Sequence, residues 1–377
     1  MKIVQLVKYR QKDWEYLTDK HVLKKPLVIV FGNRHLLECP TIYEDIKVLF
    51  PDGDIVFGSA CAEISSVTVN EGSITITAIE FERTHFIIKT SNILNKDLDS
   101  YKTGGALVEQ FPKEGLKYVF VVSEGSFVNG SQLTKGMRDA IEKNILITGG
   151  LCGDDERFEK TIAGYNENPK QGEIVAIGFY GDSLEISFSI HGGWTPFGPE
   201  RTVTKSEGNV LYELDGKPAL DLYKTYLGDK AKDLPSAALL YPLNVTLLSE
   251  KQSIVRSILS VDEDQNAVVL AGDIAEGAKV QLMMTNVDQI ANASERAARQ
   301  ALELRSSTPE LAMLVSCIGR KLVLDQRVEE EIEEVIEVLG PKTAISGFYS
   351  YGEIAPFHGE MACQLHNQTM TITLISE

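Results

Sequence analysis

Two turns place a carboxylate directly behind small residues. Phe57-Gly58-Ser59-Ala60-Cys61-Ala62-Glu63-Ile64 lies in the first half of the chain, and Gly347-Phe348-Tyr349-Ser350-Tyr351-Gly352-Glu353-Ile354 in the second. Gly and Ser let the backbone approach a ligand, and a fixed Glu offers an acceptor to an amine or a hydroxyl. A Glu in a tight turn also serves as a cap for nearby backbone N–H groups, so Glu63 and Glu353 carry two readings, ligand acceptor and turn pin. A third turn, Gly149-Gly150-Leu151-Cys152-Gly153-Asp154-Asp155, offers consecutive N–H groups of the kind that cradle an anion. It fits neither a P-loop nor a Rossmann fingerprint. The Asp154-Asp155 pair reads as solvated turn residues before it reads as a metal site.

The stretch His191-Gly192-Gly193-Trp194-Thr195-Pro196-Phe197-Gly198-Pro199 gathers a His, a Trp and a Phe on a loop shaped by Gly and Pro. Aromatic rings on such a loop can wall a pocket, or plug the core of their own domain. The candidate ligand-binding residues are therefore Gly58, Ser59, Glu63, Gly149, Gly150, Trp194, Phe197, Ser350, Tyr351 and Glu353. No catalytic set emerges. There is no G-x-S-x-G elbow, and neither Cys61 nor Cys152 has a His in a local motif, so a cysteine-dependent hydrolase stands only as a remote alternative. His21, His35, His85, His358 and His366 show no metal-binding spacing, and no metal set is assigned.

These turns need strands and helices to hold them. Three stretches repeat one pattern of apolar strand, amphipathic helix, second strand and Gly-rich turn. They run from Leu27 to Gly58 with a helix near 41–49, from Tyr118 to Gly150 with a helix near 131–142, and from Leu311 to Gly347 with a helix near 325–339. In the last helix Val328, Ile332, Val335, Ile336 and Leu339 share a face, and the acidic run Glu329, Glu330, Glu331, Glu333, Glu334 reads as its solvated side. Alternating strands after each turn predict hairpins: Ser73–Ile79 with His85–Thr90, Thr161–Tyr165 with Ile174–Tyr180 and Leu184–Ile190, and Met361–His366 with Thr369–Leu374. A degenerate fourth unit is expected over Ala237–Leu304. The fold class is α/β (mixed α+β), with two related domains built from strand-helix-strand plus hairpin units. The polar, Pro/Gly-bounded stretch from Gly228 to Ser236 marks the joint, which gives an N-terminal extension over 1–25, an N-terminal domain over 26–228 and a C-terminal domain over 236–377.

A formal charge of −17, with 54 acidic against 37 basic residues, argues against a surface that neutralises phosphates, so nucleic acid is not an expected partner. No apolar run approaches the roughly 20 residues that span a bilayer, and the first residues lack a secretory signal, which predicts a cytoplasmic protein without membrane insertion. Five scattered cysteines form no CxxC pair and read as free thiols.

The run Gly149 to Asp155, the stretch His191 to Pro199 and Val210 to Ala219 resemble the N-terminal FIST domain. Gly58 to Ile64, which reads Gly-Ser-x-x-x-Glu-Ile, resembles that domain's signature turn, with Ala62 where a Gly is common. Ser316-Cys317-Ile318-Gly319-Arg320, Gly347 to Ile354 and Leu365-His366-Asn367-Gln368-Thr369 resemble the C-terminal FIST domain. The resemblance implies a sensory module for small ligands, with amino acids and their derivatives proposed, and not an enzyme. No kinase, receiver or cyclase segment fits in the remaining residues, so a stand-alone sensor would signal through a separate protein such as a histidine kinase or a cyclic-di-GMP enzyme, with a homodimer among the assemblies allowed. A subset of the family binds haem and senses nitric oxide; for that subset the resemblance implies non-covalent haem b, with His191 beside Trp194 and Phe197 as the candidate axial ligand.

Overall fold

A computed structural model describes residues 1–234, 236–246 and 252–377. The three repeated units form three mixed sheets. In each, the two strands joined by the helix lie parallel: Leu27–Gly32 with Asp54–Ser59, Leu116–Ser123 with Leu146–Leu151, and Leu311–Cys317 with Ala344–Ser350. A third strand of the unit then pairs antiparallel with the first: Ser73–Glu80, Glu173–Tyr180 and Met370–Ser376 respectively.

The first strand of each unit is buried on both faces, and its alternation decides how the layers stack. Leu27, Ile29 and Phe31, Tyr118, Phe120 and Val122, and Leu311, Met313 and Val315 all enter one common core. The alternate residues face outward under helices: Val28 and Val30 meet Ile42 and Ile46, Val119 and Val121 meet Leu133 and Met137, and Ala312 and Leu314 meet Ile332 and Val335. Each fully buried aliphatic side chain contributes about 1.5–3 kcal/mol relative to its exposed state.

The expected hairpins do not close on themselves. Ser73–Glu80 stays in the first sheet while His85–Asn92 crosses to pair with Glu173–Tyr180 in the second. Glu185–His191 crosses to pair with Met370–Ser376 in the third, and Cys363–His366 joins the second sheet beside Gly352–Pro356. Alternation specifies which face of a strand is buried, but with a shared core between three sheets it leaves the partner strand free. In the first sheet the position of His85–Asn92 is taken by Lys2–Tyr9, which pairs along the whole of Ser73–Glu80, so residues of the expected extension are integral sheet.

The short strands after the Gly-rich turns are exchanged cyclically. Glu63–Ser65 of the first unit adds to the third sheet, Gly352–Pro356 of the third unit to the second, and Ala163–Tyr165 of the second unit to the first. The fold is mixed α+β in two related halves, with two units in the N-terminal half and one in the C-terminal half. The expected fourth unit takes another form. Strands from Thr195–Glu207 to Lys279–Met284 make an eight-stranded antiparallel body with its own core around Leu211, Leu220, Tyr223, Val245 and Val268, while helix Val287–Glu303 covers the third sheet. Residues 228–233 form a 3-10 turn of that body, whose strands on either side of the turn pair with one another, as Thr195–Glu207 does with Lys279–Met284. Pro235, within the expected joint, lies outside the described residues.

Candidate ligand-binding site

The three signature turns meet at the centre. Cys61 N donates to Tyr349 O (2.9 Å), Tyr351 N to Leu151 O (3.1 Å) and Gly153 N to Ser59 O (2.9 Å), so each turn donates one backbone bond to the next around a ring. Gly58, Ser59, Glu63, Gly149, Gly150, Ser350 and Glu353 are all buried here. Gly149 sits at φ +148, and a Cβ there would strike the backbone of Val121, which explains the glycine without a ligand. Ser59 Oγ accepts from Ile162 N (3.1 Å), and Glu63 accepts from the Ser73 hydroxyl. Glu353 accepts from Ser350 Oγ (2.8 Å) and from both the N–H (3.1 Å) and the hydroxyl (2.7 Å) of Thr369. Burial pushes the Glu63 carboxyl well above the usual range and that of Glu353 up to about 8. In this geometry both carboxyls pin turns.

Asp154 is likewise internal, gripped by Arg34 (2.9 Å) and Arg157 (2.7 Å). Burial alone would raise its pKa; the two guanidiniums outweigh that and hold it below the usual carboxylate range. Among the described residues no group of three or more His, Cys, Asp or Glu could hold a metal ion. Cys61 and Cys152 are buried, and burial pushes both thiols well above their ordinary range, away from the thiolate a nucleophile needs.

The open space lies to one side of this knot, where the aromatic loop meets the antiparallel body. A groove of about 600 Å³ is walled by His191 to Thr195, by Gln289, Asn292 and Arg296 of helix Val287–Glu303, by Asn244 and Ser253 to Val255 of the antiparallel body, and by Phe357, His366 and Thr369. Trp194 is buried at its edge, and its indole N–H has no hydrogen-bond partner among the described residues. Phe197 packs instead against the core of the antiparallel body. Tyr351 lies on a different cleft. Of the sequence candidates, then, His191 and Trp194 line this groove, and the Glu-bearing turns do not.

The groove's charge is one-sided. Arg296 is exposed and makes no ion pair among the described residues, and no acidic residue appears among the described residues of the lining. His191 donates Nε2–H to Gln300 Oε1 (2.9 Å), which also accepts from Ser189 Oγ (2.6 Å). Burial lowers the His191 pKa, so the neutral ring keeps a lone pair on Nδ1. His366 is buried, gives Nε2–H to Ala355 O (3.0 Å) and has its pKa pushed down to about 3 by burial.

A buried arginine holds the aromatic loop. Arg320, fully buried, donates to Gly192 O, Ile290 O (3.1 Å) and Ser294 Oγ (2.6 Å), and makes a two-pronged pair with Glu331 (2.9 and 2.6 Å). Glu331 in turn accepts from Ser316 Oγ (3.1 Å) and from the Tyr349 hydroxyl. Glu331 therefore departs from the solvated face expected of its acidic run. Its position three residues after Val328 and four before Val335 places it on the apolar stripe, the signal that was available. Gly193, at φ +95, completes the loop, where a Cβ would come within 2.7 Å of Gln289 O.

No helix among the described residues is long and apolar enough to cross a membrane. The chain is 27% identical over 215 residues to an uncharacterized protein of Methanocaldococcus jannaschii, covering 52% of this chain and 40% of that protein. It is 25% identical over 216 residues to an uncharacterized protein of Mycobacterium tuberculosis, covering 54% of this chain and 55% of that one. The matched regions thus span about half the length of these curated relatives or less. Among solved structures, cyanuric acid hydrolase from A. caulinodans aligns over 93% of this chain and 90% of its own at 7% identity, with a TM-score of 0.35. The FIST N domain model matches residues 26–217 and the FIST C domain model residues 219–356, and the chain belongs to the FIST family, a family of small-ligand sensory domains.

Proposed function

We propose that this protein is a cytoplasmic sensor that binds a small carboxylate-bearing ligand, such as an amino acid or its derivative, in the groove beside Trp194 and signals through a separate partner protein, a histidine kinase or a cyclic-di-GMP enzyme. The observation that carries the reading is a lining without an acidic residue, and an Arg296 without an ion pair, among the described residues. A guanidinium pairs a carboxylate with charge-assisted hydrogen bonds, while the Trp194 N–H, without a partner among the described residues, offers a further donor. Ile254, Val255, Met283 and Phe357 supply apolar wall for the rest of the molecule. Thermal melting against a panel of amino acids and other small carboxylates tests this, because a ligand of the native state raises its apparent stability. A stabilising ligand whose effect disappears in Arg296→Ala is expected; a panel without effect, or an effect unchanged in that variant, counts against the groove.

A second reading is that the ligand is haem and the signal nitric oxide. It is favoured by His191, whose ring is fixed through Nε2 to an amide oxygen as metal-binding histidines commonly are. His191 would hold the iron, the apolar wall the macrocycle and Arg296 a propionate; the bound iron would supply the site for a diatomic gas. Titration with haem should then give a sharp Soret band that is altered in His191→Ala. A band unaltered in that variant would remove His191 as the ligand.

A further inference from the structure

All 14 phenylalanines lie among the described residues, and only Phe127 and Phe158 are exposed, at 41% and 40%. Both line a single cleft of about 520 Å³ between the second unit and the antiparallel body, together with Tyr351 and with Leu259, itself 42% exposed. The described linings of the groove and of this cleft have no residue in common, and Arg256, next in sequence to Val255 of the groove, lays its guanidinium against Gly272 of the cleft.

Hydrogen bonds fix the backbone that carries both rings. Glu124, fully buried, accepts the N–H groups of Ser126 (2.6 Å) and Phe127 (2.9 Å) and the Thr161 hydroxyl (2.6 Å). Phe158 takes a left-handed conformation, φ +51, that aromatic residues rarely adopt. Its N–H donates to the Tyr351 hydroxyl (3.1 Å), and its ring stacks on that of Tyr351 at 4.4 Å. Backbone strain that keeps a phenylalanine in solvent calls for a use at that spot. The charge is opposite to that of the groove: Glu159 is the one charged residue among the described residues lining the cleft.

We propose that this cleft is a second ligand site, for a small aromatic amine whose ring stacks against Phe127 and Phe158 and whose ammonium faces Glu159. Offset stacking and cation–π attraction both favour a flat cation here. Glu159 is shared with Arg34 at 3.4 Å and is 67% exposed, so the rings rather than the charge set most of the affinity. The site is independent of what the groove binds.

Calorimetric titration of the full chain with tryptamine, and in parallel with indole-3-propionate, tests the assignment. Saturable tryptamine binding is expected, weakened roughly tenfold in Phe158→Ala, weakened less in Glu159→Gln and unchanged in Arg296→Ala. Phe158 is outside the core, so Phe158→Ala should melt like the parent; Phe127→Leu gives a second, milder removal of stacking surface. Absence of saturable tryptamine binding overturns the proposal. So does binding that is unchanged in both Phe variants, or equally tight binding of indole-3-propionate that is lost with Phe158, since that would be an unselective apolar patch.

Discussion

Removing Arg320 should damage the aromatic loop and the stability of the chain together. In Arg320→Met the aliphatic volume is largely kept, but Gly192 O, Ile290 O and Ser294 Oγ lose a donor and Glu331 loses its only cationic partner among the described residues. Both members of the pair are fully buried, so little solvent screening is available. Breaking a buried pair by removing one partner costs about 3–5 kcal/mol, most of it the penalty of an uncompensated buried charge. The double variant Arg320→Met, Glu331→Gln removes that charge and should recover a large part of the loss. Urea unfolding of the parent, both singles and the double measures the coupling. Trp194 reports on the loop directly: it is buried, whereas Trp14, the other tryptophan, is partly exposed, and a red shift in emission below the unfolding transition is expected for Arg320→Met. A single variant that costs under about 1 kcal/mol, or a double variant at least as unstable as the sum of the singles, would refute the claim that this pair is the strut of the loop.

Glu353 gives a pH signature. Its folded pKa, about 8, lies above the ordinary 4.5, so its contribution is full below about pH 4.5 and is lost as pH rises toward 8 and beyond; Glu353→Gln should flatten the fall in stability between pH 5 and 9, as read by melting temperature. His366 acts with the opposite sign, since its folded pKa is depressed to about 3: stability should decline as pH falls from 6.5 toward 3, less so in His366→Phe. Arg296→Ala, at an exposed residue, should leave the melting temperature of the free protein unchanged while weakening a carboxylate ligand roughly 10- to 100-fold by calorimetry. Asp273 accepts from Asn129 Nδ2 (2.8 Å) and from Gln132 at the start of helix Gly130–Ala140, which plants a carboxylate from the antiparallel body at a helix N-terminus. Asp273→Ala should cost about 1–3 kcal/mol and raise hydrogen exchange in 125–134 more than in the first unit.

The units themselves were legible because each first strand is a short apolar run followed by a helix with a clean apolar face, as Leu133 and Met137 show. Helix Ile42–Leu49 was found from Thr41 and Glu44, although the Thr41 hydroxyl goes to Asp45 rather than capping the backbone. Partner choice was not legible. His85–Asn92 and Glu185–His191 alternate as hairpin strands do, yet each crosses to the next sheet, because alternation fixes a buried face and not a neighbour. In the groove, His191 and Trp194 stood out as unusual types on a Gly-shaped loop. Gln289, Asn292 and Arg296 did not, being ordinary polar residues of an Ala-rich helix whose only distinction is what the fold sets opposite them. Glu331 was hidden by its acidic neighbours, and Arg320 by its place in a motif that read as family likeness rather than as a contact.

How an occupant of the groove would be felt elsewhere follows from which walls it touches. One wall, His191 to Thr195, is tied through Arg320, Glu331 and Tyr349 to the ring of backbone bonds at the centre. Another, Thr369, is tied through Glu353 to the turn beside that ring. A third, Ser253 to Val255, belongs to the antiparallel body, and a fourth is the helix that carries Arg296. A ligand shifts a conformational equilibrium only by its differential affinity for the two states, and moving a population from 1:99 to 99:1 takes about 5.5 kcal/mol. A charge-assisted bond to Arg296 alone supplies about 1.5–3 kcal/mol, and only part of that is differential. On the function proposed above, a signalling ligand would have to bridge the helix that carries Arg296 and the antiparallel body at once. Molecules that satisfy Arg296 without filling the space against Ile254 and Val255 should bind and stabilise, yet leave exchange rates at the Asp273 seam as they are in the free protein.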